Sequence, residues 1–458
     1  MERKKIDMTT GPIMKNVFLF AIPIVLGNIL QYLYTTVDTL VIGNYCGKTS
    51  LAAVGTSAQP VEVLLCIFLG IGTGVSILVS QYMGAKDMAR MRRAVDTATF
   101  FVFVCGIPLC VIGYFTAPLI LRAMGVPADT WDAAVSYTRI VFFGALGNIG
   151  YNMNAGILRG MGDSKASLWF LVVSCIANIV LDLLFVAKFK MDVGGAALST
   201  TLAMYLSWVI SIVYIRKKFP ELELPYFTKV FDTNELRQFV VIGLPIGLNN
   251  SLYSFGHVAI QTLVNAQGST FMAGNSVAGR VTGLANIAIT ALSSAATTFS
   301  GQNFGAGNFD RLRKGYIKIP MISGIVTLAA GLCVISFRMP ILRIFNKDEA
   351  VLMYASRYVV VMLLSQWFYA IFNGIICIVN GVGLIRYTTI VNLLMLWAVR
   401  IPSAYLIDRY FDGTYLMLCF PISFCFGMIM MLGYYIFSKK WKEIIRTGLQ
   451  SSFFNDTK

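Results

Sequence analysis

Residues 166–187 read ASLWFLVVSCIANIVLDLLFVA. An α-helix of about 20 apolar residues crosses the hydrocarbon layer of a membrane, and this run has that length. Two residues break its greasy character, Asn178 and Asp182. They stand four apart and so share one helix face. An ionisable group in hydrocarbon is costly and faces the protein interior when it occurs. The stretch therefore reads as a transmembrane helix with an apolar outside and one polar inner face.

The pattern repeats in both directions. Twelve apolar segments can be marked, near 15–43, 51–81, 94–118, 132–158, 166–187, 193–215, 237–264, 273–302, 317–337, 351–382, 387–408 and 414–437. The chain has 458 residues, 57% of them hydrophobic and only 13% charged. A soluble domain carries about 25% charged residues. This composition excludes disorder, collagen-like and coiled-coil structure, and a water-soluble enzyme. The basic start Arg3-Lys4-Lys5 precedes an apolar run reaching Gly43. That run is too long for a signal core and is read as the first span.

The charge map orients the spans. With the N-terminus inside, 25 of the 37 Lys and Arg fall on the inner side and eight on the outer side. Arg139, Arg280, Arg357 and Arg400 lie within or near spans. This asymmetry predicts a multi-pass protein of the cytoplasmic membrane, with both termini cytoplasmic. The formal net charge of +15 belongs to those loops rather than to a nucleic-acid surface.

The two halves resemble each other at a shift of 221 residues. Gln81, Gly84, Ala85, Arg90 and Arg92 match Gln302, Gly305, Ala306, Arg311 and Arg313. Asn152, Gly160 and Gly162 match Asn373, Gly381 and Gly383, and Pro23 matches Pro245 with one residue of slippage. The expected fold is an all-α integral membrane protein of twelve transmembrane helices in two pseudosymmetric six-helix bundles. Residues 1–215 form the N-terminal lobe, 216–236 a cytoplasmic interlobe linker, 237–440 the C-terminal lobe and 441–458 a cytoplasmic tail. Parallel repeats of this kind build transporters in which one bundle rocks against the other.

Three carboxylates lie well inside spans, Asp38, Glu62 and Asp182, all in the first half. Tyr34 and Asp38 stand four apart, like Asn178 and Asp182, and Thr200 lies at a similar depth. Two carboxylates, an amide, a phenol and a hydroxyl at one level suit a proton or a hard cation such as Na+. Close carboxylates in low dielectric do not both ionise easily. Asp38, Asn178, Asp182 and Thr200 are the candidate Na+ ligands. Glu62 follows Pro60 and either lines a substrate cleft or bonds to backbone freed by the proline. His257, the one histidine, packs between helices or moves a proton; Arg280 and Arg400 serve as structural residues or counter-ions. Asp96 is expected to pair with Arg92 and Arg93. Pro23 removes one helix hydrogen bond and permits a bend in the first span. Many Met and Phe residues suit an adaptable pocket for apolar cations.

Several motifs resemble the multidrug and toxic compound extrusion (MATE) family, in its DinF-like branch. They are Thr10-Gly11-Pro12-Ile13, Ala21-Ile22-Pro23, Val37-Asp38, Gln81-Tyr82-Met83-Gly84-Ala85-Lys86, Leu158-Arg159-Gly160-Met161-Gly162-Asp163, the run from Asn178 to Asp182, Gly195-Ala196-Ala197 and Gln302-Asn303-Phe304-Gly305-Ala306. The resemblance spans essentially the whole chain. It implies an efflux antiporter, not an enzyme, that exports cationic or amphipathic small molecules against inward H+ or Na+, with no other cofactor. It places the cation site at Asp38 and Asp182, with Asn178, Thr200 and Tyr34 beside them. Branches resembling NorM also use acids in the seventh and tenth spans, and this chain has none there. A fourth-span position that some members fill with Asn is Ala155 here, with Asn154 adjacent. Asn154, Glu62, Arg280 and His257 are the substrate-cleft candidates. The expected partners are these small molecules and the bilayer, with no nucleic acid, and the protein is expected to be monomeric. The alternative is a flippase for lipid-linked oligosaccharides, disfavoured because the deep groups of the first half are acidic. An intramembrane enzyme would need a cluster of catalytic groups that one His and scattered Cys do not provide.

Overall fold

A computed structural model describes residues 6–128, 130–224, 231–411 and 413–447; for 47–53, 55–60 and 445–447 it describes the backbone alone. Apolar runs longer than the bilayer is thick become long helices. The first half contains α1 (Ile13–Tyr45), α2 (Gly47–Ala85), α3 (Met88–Ala123), α4 (Trp131–Gly160), α5 (Ser164–Asp182) and α6 (Asp192–Lys218). The second contains α7 (Thr233–Ala266), α8 (Ser269–Gly305), α9 (Phe309–Ser336), α10 (Arg338–Phe345), α11 (Glu349–Gly381), α12 (Ile385–Leu393), α13 (Ile401–Tyr410), α14 (Cys419–Phe437) and α15 (Lys439–Thr447). The described residues contain no β-strand.

Among the described residues, ten helices are long and apolar enough to cross a membrane. The fourth and eighth expected spans, α4 and α8, are just as long but more polar, and do not qualify by composition. The physical reason is their surroundings. In the first half α2, α3, α5 and α6 all pack on α4, and in the second α9, α10 and α11 pack on α8. A helix enclosed by protein need not be apolar on every face. Outer helices instead expose large apolar side chains such as Ile112, Phe115, Leu119, Ile176, Val180, Ile325, Ile429 and Ile436. This is the surface of a multi-pass membrane protein.

The chain divides into two compact units, Met1–Ile6 with Ile22–Ser251, and Asp7–Ala21 with Leu252–Lys458. Small residues let helices approach closely within a unit where no water drives them together. A Cβ on Gly150 of α4 would stand 2.2 Å from the Trp208 ring of α6, and one on Gly70 of α2 would stand 2.2 Å from the Gly247 nitrogen of α7. The repeat is visible in the backbone as well. Gly162 and Gly383 adopt φ of 89° and 93°, in the short turns that precede α5 and α12.

The motif residues at the helix ends fasten neighbouring segments. Gln302 Oε1 accepts from Met8 N at 3.0 Å and Asn303 Nδ2 donates to Met8 O at 3.0 Å. Arg311 donates to the carbonyls of Met8, Thr10 and Gly11 at 2.9, 2.8 and 2.6 Å. Asp163 accepts from Ala166 N and so caps α5, and it also takes Lys218 Nζ at 2.6 Å and Tyr214 Oη at 2.8 Å. Asp96 lies within the electrostatic range of Arg92, but the direct ion pairs go elsewhere. Arg92 pairs with Glu223 and Arg93 with Asp232, because both acids lie on segments that fold back beside α3.

Two features had no signal in the hydropathy. The expected tail begins as a helix, in which Trp441 and Ile444 are buried and Trp441 stacks on Tyr435 at 5.1 Å. Residues 448–458 lie outside the described ones. The fifth and eleventh spans are not plain α-helices either. α5 continues as a π turn over Leu183–Lys188, and α12 joins α13 through a π turn over Leu394–Arg400. π turns concentrate at functional sites.

Candidate cation-binding site

In the first unit, Asp182 is the last residue of α5 before the π turn, and its side chain is fully buried. Asp38, on α1, comes within hydrogen-bonding reach of it. Asn178 lies one turn before Asp182 and is 2% exposed; its Nδ2 donates to Thr200 Oγ1 on α6 at 3.2 Å. Tyr34, one turn before Asp38, shares a crevice with Ser174, Cys175, Asn178, Thr200 and Met204. The structure thus brings Asp38, Asp182, Asn178, Thr200 and Tyr34 together. Beneath them Val41, Ile42, Val186, Val193 and Ala196 form an apolar floor.

The electrostatics of the cluster are one-sided. Asp38 Oδ1, both oxygens of Asp182 and Asn178 Oδ1 are buried and accept no hydrogen bond. Ser199 reaches Asp182, but its proton is spent on the Gly195 carbonyl at 2.8 Å. None of the ion pairs among the described residues includes either aspartate. Buried acceptors left empty in this way are expensive. A proton shared by the carboxyls, or a small cation among the oxygens, would satisfy them. The donor set is all oxygen, which suits a hard cation and not a transition metal.

Two neighbours were missed from sequence. Tyr137 of α4 lies in the electrostatic range of Asp38, Tyr34 and Asp182, and Ser199 is buried against Asp182. Tyr137 has no acid one turn away on its own helix, and only the packing of α4 brings it here. Ser199 adjoins Thr200 and could have been found from that adjacency.

The four substrate candidates have different surroundings. Asn154 is buried inside the first unit and donates to Ser211 Oγ at 2.8 Å. Glu62 is exposed on α2, and Arg280 is exposed on α8. His257 lines a cavity of about 380 Å³ in the second unit, beside Tyr253 at 5.2 Å between rings. Pro23 is buried within the continuous helix α1, and Pro245 lies within α7.

The MatE family model matches this chain twice, over residues 23–184 and 245–406. The chain belongs to the MATE family. Each match starts at one of the paired prolines and covers most of one half, so the family's repeat is the internal repeat of this sequence. Among curated relatives, the probable multidrug resistance protein YoeA of Bacillus subtilis (strain 168) is 28% identical over 94% of this chain and 95% of its own. The multidrug export protein MepA of Staphylococcus aureus (strain N315) is 21% identical over 88% of this chain and 89% of its own. A MATE protein solved in the bent conformation has a TM-score of 0.89 at 22% identity, covering 98% of this chain and 100% of that one. As a MATE multidrug-efflux family member the protein is a membrane transporter and not an enzyme, and the flippase alternative is not favoured.

Proposed function

We propose that this MATE protein is a cation-coupled efflux antiporter that exports cationic or amphipathic organic compounds by alternating access. The coupling ion, H+ or Na+, binds at Asp38 and Asp182, with Asn178 and Thr200 completing a Na+ shell and Tyr34 closing one side. The protein sits in the cell membrane with both termini cytoplasmic, a placement that the Lys/Arg distribution supports. One observation carries the reading: four buried oxygens on three side chains converge without a donor. Occupation by one positive charge removes that cost. A ligand shifts a conformational equilibrium by its differential affinity for the two states. A cation that binds this cluster better when the protein opens outward therefore drives the exchange. Pro23, in the same helix as Asp38, gives that helix a place to bend.

The test is ethidium efflux from reconstituted vesicles, with a sodium gradient and a pH gradient imposed separately. At least one gradient drives efflux in the native protein, and Asp182→Asn removes that drive at the ion concentrations that saturate the native protein. Efflux indifferent to both gradients overturns the reading.

A further inference from the structure

The second unit holds an ion of the opposite sign. Arg400 closes the π turn Leu394–Arg400, and its side chain is fully buried. A guanidinium stays protonated in proteins. A buried charge without a counter-ion is costly, and more so in a membrane. Yet none of the ion pairs among the described residues includes Arg400. Its Nε donates to Ser423 Oγ at 2.9 Å and its Nη1 to Tyr253 Oη, while Nη2 is buried with no acceptor. Three rings, Tyr253, Phe420 and Phe424, stand 5.0 to 5.1 Å from the guanidinium carbon. They shield the charge without neutralising it.

Arg400 lies in the wall of the cavity of about 380 Å³ that His257 also lines. Among the described lining residues Arg400 is the one side chain with a permanent charge, and there is no Asp or Glu. Tyr253 also lines the cavity. Its phenol oxygen accepts from Arg400, so its own proton is free to be donated. A group held there meets a hydrogen-bond donor with a positive charge directly behind it. Gln366 lines the same space; its Nε2 donates to Asn286 at 2.9 Å. The rest of the wall combines aromatic and thioether groups, including Phe271, Met362 and Tyr369, with neutral amides and hydroxyls such as Asn275, Asn286 and Thr282. The volume falls in the range of small-molecule pockets.

We propose that this cavity binds an aromatic carboxylate. The carboxylate accepts from Tyr253 and is held by the field of Arg400, and the ring lies on the aromatic wall. Charge-assisted hydrogen bonds are roughly twice as strong as neutral ones. The site is separate from the Asp38/Asp182 cluster, and its ligand is the opposite in charge to the substrates proposed above.

The experiment titrates the full-length protein in phosphatidylcholine nanodiscs with naphthoate and, separately, with the isosteric naphthamide. Naphthoate is expected to bind saturably, about tenfold more tightly than the amide, a difference worth about 1.4 kcal/mol. Tyr253→Phe and Arg400→Gln should each weaken naphthoate by about tenfold or more and weaken naphthamide by less, because the amide carbonyl accepts only a neutral hydrogen bond. Equal affinity for acid and amide on the native protein overturns the proposal, whatever the variants do. Asp182→Asn should bind naphthoate normally, which separates this outcome from failure of the coupling reading.

Discussion

Replacing Asp182 with Asn changes one charge and almost no volume. In the native cluster a bound cation faces two carboxylates; in the variant it faces one. A cation and a carboxylate about 4 Å apart attract by about 4 kcal/mol at an effective dielectric constant of about 20. At about 1.4 kcal/mol per decade, that is a loss of about a thousandfold in cation affinity. Folding should not suffer, because the new amide can donate to Asp38 Oδ1, which lacks a donor now. Two measurements on the purified variant check this. Thermal melting should match or exceed that of the native protein in the absence of coupling ion, and should no longer rise when the ion is added. Ethidium efflux from vesicles should require about a thousandfold more of the driving ion. A half-saturating concentration within about threefold of native would refute the assignment. A collapsed melting temperature would show that Asp182 holds the fold instead of the ion.

Other perturbations probe the surrounding parts. Thr200→Val removes a hydroxyl oxygen and the acceptor of Asn178 Nδ2, and should weaken sodium-driven efflux by about tenfold while sparing proton-driven efflux. Gly70→Leu forces side-chain carbons into the Gly247 backbone; expression and monodispersity in detergent should both fall, and unchanged melting would contradict the close crossing. Arg311→Ala releases three carbonyls of the segment before α1 and should cost about 2–4 kcal/mol, read as a lower melting temperature and faster proteolysis near Thr10. Trp441→Ala should shed the start of α15 from its aromatic bed and make that helix accessible to protease while transport continues.

How far the sequence reached depends on what each residue's neighbours are. The outer helices are legible because lipid accepts nothing polar, and most of their ends match the apolar segments to within a few residues; α3 and α9 start six and eight residues earlier than their apolar runs, in the charged turns 88–93 and 309–314. α4 and α8 were also marked, yet their Asn, Ser, Thr and Gly content is explained only by the helices packed around them. Asp38 and Asp182 were legible because an acid in an apolar run has few purposes. Tyr137 was not, because a tyrosine in a membrane helix has many. Asn154 carries the same ambiguity, and its amide is engaged by Ser211 within the first unit. Arg400 was visible as a charge, but whether it has a counter-ion is a fact of packing, and no periodicity encodes that.

The π turns bear on how the two halves came to differ. A turn bonded from i to i+5 takes up one residue more than an α turn, and each added residue rotates the downstream helix by about 100°. In the first half the extra residue comes directly after Asp182; in the second it is absorbed in the turn that Arg400 closes. Chains built on one duplicated template would have acquired these insertions independently, at different depths of the same span. Relatives lacking the first insertion should be one residue shorter between Asp182 and Gly194, and their acid should point along a different bearing.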